Sequence, residues 1–159
     1  MTGSPLPEAP PRLLAALRRR MLELAATRAQ GALTYFITTE HTVRAREILG
    51  PDPILVCELP VVLDTDAERA RATARECAAF FLALPNYLNN LREHGFSDAD
   101  LAGGGSDRLI EAVVPWGGPD AIVERIRAHQ EAGAVHVAIQ PIAGGFAEQL
   151  NALAPVLIG

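Results

Sequence analysis

The sequence predicts an α/β fold built on four parallel strands, and three observations carry that expectation. Four short apolar runs are each followed by a helical periodicity, and no hairpin signal joins one run to the next. The longest run, Ile54–Leu63, is almost continuously apolar, as a strand covered on both faces must be. Parallel strands joined by right-handed helical crossovers satisfy all three.

The first unit is the apolar run Leu13–Leu17 followed by a helix through RRRMLELAATRAQG, in which Met21, Leu22, Leu24 and Ala25 mark one face and Gly31 is the expected stop. In the second, Ala32–Ile37 favours a strand and Thr38 can cap a helix. Glu40 suits the positive end of that helix, and Gly50 with Pro51 terminates it. In the third, Pro60 lacks a ladder donor and predicts a bulge or a strand entry within Ile54–Leu63. Thr65 with Glu68 reads as a capping box for a helix striped by Ala70, Ala74, Cys77, Ala78, Phe81 and Leu84, which Pro85 ends or kinks.

Between that helix and the last unit lies an insertion, Asn86–Arg92 and the run Gly103–Gly105, too long for an ordinary connection and therefore a candidate lid. A short helix over Asp107–Val114 follows. Gly118, Pro119 and Asp120 open another helix, with Ile122, Ile126 and His129 on one face and Gly133 at its close. Val135, Val137 and Ile139 alternate with His136, Ala138 and Gln140 as the last strand, and Phe146–Leu157 is a terminal helix.

With 49% hydrophobic and 21% charged residues in 159, the composition is that of one globular domain able to bury a core. A net charge of −5 disfavours nucleic acid and anionic membrane surfaces as partners. Residues 1–11 are rich in proline and are expected to be disordered. They contain no apolar leader, and no apolar stretch reaches the length of a spanning helix, so a cytoplasmic location is expected. Cys57 and Cys77 sit among apolar neighbours without a CxxC partner, as reduced buried thiols do. His41, His94, His129 and His136 show no metal-binding spacing, so no metal is expected. Neither GxGxxG nor GxxxxGK[ST] opens a helix, which removes the usual evidence for a nucleotide-binding open sheet.

Several long strings go beyond what helix and strand rules require: RMLELAATRAQGA (20–32), YFITTEHTVRAREILGP (35–51), LPNYLNNL (84–91), GGGSDRL (103–109) and the stretch from WGGPDAI to GAVHVAIQ (116–140). In this order they resemble the C-terminal half of luciferase-like oxidoreductases, in particular the group that uses the deazaflavin coenzyme F-420. The resemblance implies a partial TIM barrel of about four β/α units. Residues 12–159 would correspond to strands 5 to 8 of a barrel that normally needs about 250 residues. It further implies an oxidoreductase acting on a small-molecule substrate with coenzyme F-420, or alternatively FMN, whose ring-side groups lie mainly in the N-terminal half. No catalytic residue is assigned on this chain.

What the C-terminal half supplies in the family is an anchor for the coenzyme phosphate, after the strand that Leu13–Leu17 matches. Arg18, Arg19 and Arg20 occupy that position, with Arg18 and Arg19 where family members typically carry Gly-Pro. Three arginines can bind phosphate by charge-assisted, bidentate bonds. They can also fill the space the coenzyme needs, or simply form a solvated basic helix start. Contacts to the coenzyme tail or substrate are implied near Thr38, Thr39 and His41, where helix capping and an ordinary first-turn histidine are the structural alternative.

Two functional readings follow. The chain is part of an oxidoreductase completed by another copy or by a separate N-terminal half, or it is a catalytically inactive half-barrel or interaction module. A half-barrel leaves its inward side chains uncovered and two strand edges unpaired, so self-association is expected.

Overall fold

The computed structural model describes residues 10–157. Nine of the eleven residues expected to be disordered, 1–9, lie outside the described residues. The fold is the expected α/β arrangement: β1 (Leu13–Ala15), β2 (Gly31–Tyr35), β3 (Ile54–Val61) and β4 (His136–Pro141) form one parallel sheet in the order β1-β2-β3-β4. This is a partial barrel, an arc of consecutive β/α units.

Helices α1 (Arg19–Arg28), α2 (Thr39–Leu49), α7 (Pro119–Glu131) and α8 (Phe146–Leu157) cover one face of the sheet. Successive strand residues point to opposite faces. Leu55, Cys57, Leu59 and Val61 therefore face these helices and pack, fully buried, with Ala25, Ala45, Ile122 and Leu153. The other face carries Leu33, Tyr35, Val56, Glu58, His136 and Gln140, all half-buried or exposed. Val137 and Ile139 of β4 also pack on the helical side.

α1 ends at Arg28, before Gly31, which is not a helix stop but the first residue of β2. A Cβ there would stand 1.9 Å from the Ile54 carbonyl oxygen, so glycine is required by close approach of the two strands. β2 ends one residue before Phe36, which adopts φ 53°, is fully buried and stacks on Phe81 at 4.7 Å between ring centroids.

Pro60 makes neither a bulge nor a strand entry; it lies inside the paired part of β3, opposite Gln140. Ile54 donates to Gln30 beside β2, whereas Leu55 and Val61 accept from Val135 and Ile142 beside β4. Even-numbered residues of β3 thus direct their backbone groups towards β2, whose pairing stops at Glu58, and no ladder donor is lost at Pro60.

The helix α3 (Ala67–Leu82) is capped by Asp66, which accepts from the Arg69 N–H at 3.0 Å, and not by Thr65. Its buried stripe is Ala70, Ala74 and Ala78. Pro85 begins α4 (Pro85–Glu93) as its first residue. The insertion is folded, not an open lid: α4, α5 (Asp98–Leu101) and α6 (Asp107–Val113) pack with α3 around Phe36, Leu91, Phe96, Leu109 and Ile110. Asp100 ties its turns together by accepting from Ser97 N–H at 2.9 Å and from the Ser106 hydroxyl at 2.8 Å, with Arg108 beside it. Because Phe36, Val62 and Ile142 follow β2, β3 and β4, this cluster lies at the C-terminal end of the strands. No described helix is long and apolar enough to cross a membrane.

Candidate functional site

The C-terminal ends of β1 and β2 lead directly into α1 and α2, so the first turns of both helices meet at one end of the sheet. Between them and α4 is a cleft of about 440 Å³, lined by Leu17, Arg18, Arg19, His41, Arg44, Asn90, Glu93 and His94 among others. Arg18, Arg19 and His41 are thus brought together. Arg20 lines an adjoining groove of about 540 Å³ with Arg18, Arg19, Met21, Asn86 and Glu93. Thr38 and Thr39 line neither. Thr38 is buried and accepts from the His41 N–H at 3.2 Å, which is the capping role, while Thr39 begins α2.

Arg18 stands at the cap position of α1 and offers no side-chain cap. Its guanidinium pairs with Glu93 of α4, while Nε is buried without a partner. Arg19 pairs with Glu23 one turn on, at 2.7 Å. The basic start of α1 is therefore part neutralised by its own chain. The Arg18–Glu93 pair joins residues 75 positions apart and had no local signal in the sequence.

His41 is 2% exposed. Its Nε2 lies 2.6 Å from the Leu17 carbonyl oxygen, an acceptor only, so Nε2 carries the proton and Nδ1 is bare and unpartnered. Burial pushes its pKa down to about 4, outweighing the Leu17 bond that favours the charged ring. His41 is accordingly neutral at neutral pH. The His94 ring lies 5.1 Å from it.

A second buried histidine lies behind the sheet. His129 of α7 is fully buried, with Nδ1 2.8 Å from the Thr42 hydroxyl and Nε2 unpartnered. Burial, and then Arg125, pushes its pKa to about 4. Thr42 and Thr34 both lie against the Cys57 sulfur, at 3.4 and 3.5 Å, and burial raises that thiol's pKa. This is a packed polar network on the helical side, away from the cleft.

On the open face, next to the arginines, a third recess is lined by Ala15, Leu33, Tyr35, Asn86 and Tyr87 as well as Arg18. The Tyr35 hydroxyl lies 2.6 Å from Gln140 Oε1, and burial raises the phenol's pKa first of all, with Glu58 adding to it. Asn86 and Tyr87 are legible in the string LPNYLNNL. Tyr35 and Gln140 are not, because only the sheet brings their strands alongside. Trp116 packs against the insertion cluster with Arg71 over its ring at 5.6 Å. Among the described residues, no group of three or more His, Cys, Asp or Glu is placed to hold a metal ion.

Comparison with known proteins adds the following. Residues 1–136 match the sequence profile described as luciferase-like monooxygenase. No curated protein matches the chain. An F-420-dependent secondary alcohol dehydrogenase, solved with an F-420–acetone adduct, superposes with a TM-score of 0.70 at 12% identity, over 95% of this chain and 49% of its own. A coenzyme F-420-dependent tetrahydromethanopterin reductase from Methanopyrus kandleri gives 0.67 at 22% identity, over 91% and 48%. An EDTA monooxygenase from Chelativorans sp. BNC1 gives 0.63 at 14%, over 91% and 43%. The chain thus spans about half the length of these structures, and the likeness is one of fold.

Proposed function

The chain belongs to the luciferase-like monooxygenase family, and we propose that it supplies the C-terminal half, strands 5 to 8, of an oxidoreductase that uses coenzyme F-420 or FMN on a small-molecule substrate. The observation that carries this reading is the meeting of Arg18, Arg19 and the uncapped start of α1 at the C-terminal end of the sheet. Active sites of this architecture lie at that end.

The residues fit the phosphate end of such a coenzyme. The first intrahelical bonds of α1 run from Met21 and Leu22 to Arg18, so the N–H groups of Arg19 and Arg20 have no partner within the helix and suit an anion. Arg18 Nε, buried and unpartnered, adds a donor beside them. Leu33, Tyr35 and Tyr87 offer apolar and aromatic surface next to Arg18 on the open face. A bound deazaflavin or flavin supplies the hydride chemistry itself, while the chain's residues bind and orient it. His41, neutral and bonded to Leu17, holds the end of β1 in place behind the arginines.

The alternative, an inactive half-barrel used as an interaction module, draws on one observation: Glu93 and Glu23 already pair with Arg18 and Arg19. Fluorescence titration of the purified chain with F-420 and with FMN decides between them. The oxidoreductase reading expects weak, salt-sensitive binding that tightens when an N-terminal half is supplied. No binding of either coenzyme, with or without that half, overturns it.

A further inference from the structure

Of the buried side-chain polar atoms that have no hydrogen-bond partner among the described residues, two belong to residues lining one cleft: His41 Nδ1 and Arg18 Nε. They stand on adjoining backbone, because the carbonyl that holds the His41 ring belongs to Leu17, the residue before Arg18. Such atoms are costly to leave unmet, and a pair of them beside one cleft points to a shared ligand. Their chemistry is opposite. Arg18 Nε only donates. His41 Nδ1 only accepts, since the bond to Leu17 places the ring's one proton on Nε2 and burial keeps the ring neutral.

The chain itself meets only half of this demand. Glu93 of α4 brings a carboxylate to the Arg18 guanidinium, and the ring of its neighbour His94 lies 5.1 Å from that of His41. A carboxylate has no proton to give to His41. The neutral His94 ring has none to spare either: its Nδ1 faces the Asn90 carbonyl oxygen at 2.8 Å and carries the proton, so its other nitrogen is a second acceptor. Arg19 and Arg44 add positive charge to the cleft, each shared with a glutamate one turn on, Glu23 and Glu47.

We infer that the cleft selects an oxyanion carrying its own proton, a phosphate group free or as a monoester, with Arg18 Nε donating to a charged oxygen and His41 Nδ1 accepting from the P–OH. One tetrahedral centre then serves both atoms. The ligand takes the place of the Glu93 carboxylate, which turns aside on a half-exposed side chain. A phosphate monoester, with its second pKa at about 6, keeps that proton at a pH where a carboxylic acid has lost its own. Sulfate and phosphodiesters offer the same charged oxygens without the hydroxyl, and leave His41 unmet. The inference rests on the anion site proposed above at the start of α1 and adds what selects the anion. FMN ends in a monoester and F-420 carries a diester, so the same contact sorts between the two coenzymes.

The test is calorimetric titration of the full chain, without coenzyme and at a pH of about 6, with inorganic phosphate and with sulfate. Sulfate then carries the greater charge, so a basic cleft without the His41 acceptor would favour it. Phosphate is expected to bind at least ~10-fold more tightly, as one hydrogen bond to a charged partner allows, and methyl phosphate more tightly than dimethyl phosphate. His41→Phe, which keeps a ring and removes its acceptor, should abolish the preference for phosphate. Should that variant fail to fold, nitrogen-15 NMR of the unmutated chain reads the same contact: the His41 Nδ1 resonance should move on adding phosphate and stay in place on adding sulfate. Equal affinities, a preference for sulfate, a preference for phosphate that survives His41→Phe, or an unmoved Nδ1 resonance would each overturn the inference while leaving the arginine site standing. Binding of neither anion overturns the inference as well, and the coenzyme titration then decides the oxidoreductase reading by itself.

Discussion

The His41 ring lies 2.6 Å, Nε2 to oxygen, from the backbone carbonyl of Leu17, joining the first turn of α2 to the end of β1 across the floor of the arginine cleft. Since the carbonyl can only accept, this bond assigns the proton to Nε2. It fixes the tautomer and leaves Nδ1 as a buried acceptor with no donor.

That arrangement makes stability depend on pH. His41 and His129 both have folded-state pKa values near 4, below the ordinary 6.5, because burial opposes the charged ring. The unfolded chain takes up protons as pH falls through about 6.5, while the folded chain does not until about 4. Stability is therefore fully present above pH 7 and is lost between about 6.5 and 4, on the order of 3 kcal/mol per histidine. Thermal melts across this range should show Tm falling with pH. His41→Gln, whose amide can still donate to Leu17, should remove about half of the slope; an unchanged slope would argue against buried neutral His41.

Replacing Gly31 tests the strand contact. Gly31→Ala places a methyl group 1.9 Å from the Ile54 carbonyl oxygen, and both atoms belong to sheet backbone that cannot turn aside. A loss of about 3 kcal/mol or more is expected, at or beyond the upper range of overpacking in a core. Gly50→Ala meets no atom within 4 Å and costs only its backbone strain at φ 81°. Urea unfolding of both variants checks the ranking, with Gly31→Ala the less stable.

Coenzyme affinity should respond to the acidic partners as well as to the arginines. Glu93→Gln releases Arg18, and binding of F-420 or FMN should tighten by up to about five-fold, matching the ~1 kcal/mol upper range of an exposed ion pair. Arg19→Ala should weaken it by a similar factor, and high salt should mimic that loss by screening. Fluorescence titration reads all three. Indifference to every one of them would remove the arginines from the site.

The folded insertion depends on Asp100. Arg108 beside it, together with bonds from Ser97 and Ser106, holds this carboxyl well below the usual carboxylate range. Asp100→Ala should loosen the turn through Gly103–Gly105 without unfolding the sheet, because Asp100 contacts only the insertion in its bonds. Limited proteolysis should then cut between residues 95 and 106 in the variant and spare the parent, while the thermal melt of the sheet stays cooperative.

Sequence periodicity by itself determined the alternation of four strands with helices, because burial imposes a period of 2 on a strand and 3.6 on a helix wherever one face meets a core. The terminal helix Phe146–Leu157, the Gly118-Pro119 start of α7 and the Thr38 cap are local in the same sense: residues a few positions apart decide them. The family strings then identified the barrel to which the arc belongs. Tertiary structure alone decided the contacts between distant segments. Gly31 reads as a helix stop until Ile54 is brought against it, and Pro60 reads as a bulge until β2 is seen to end before it. The insertion appears as an open lid until Asp100 is seen to hold its turns. The same holds at the candidate site. Arginines after the first strand were legible, but their pairing with Glu93 and the buried bond from His41 to Leu17 join residues 75 and 24 positions apart. Such pairs leave no periodic trace in a chain, because the free energy that selects them comes from desolvation and close packing that exist only once the sheet has formed.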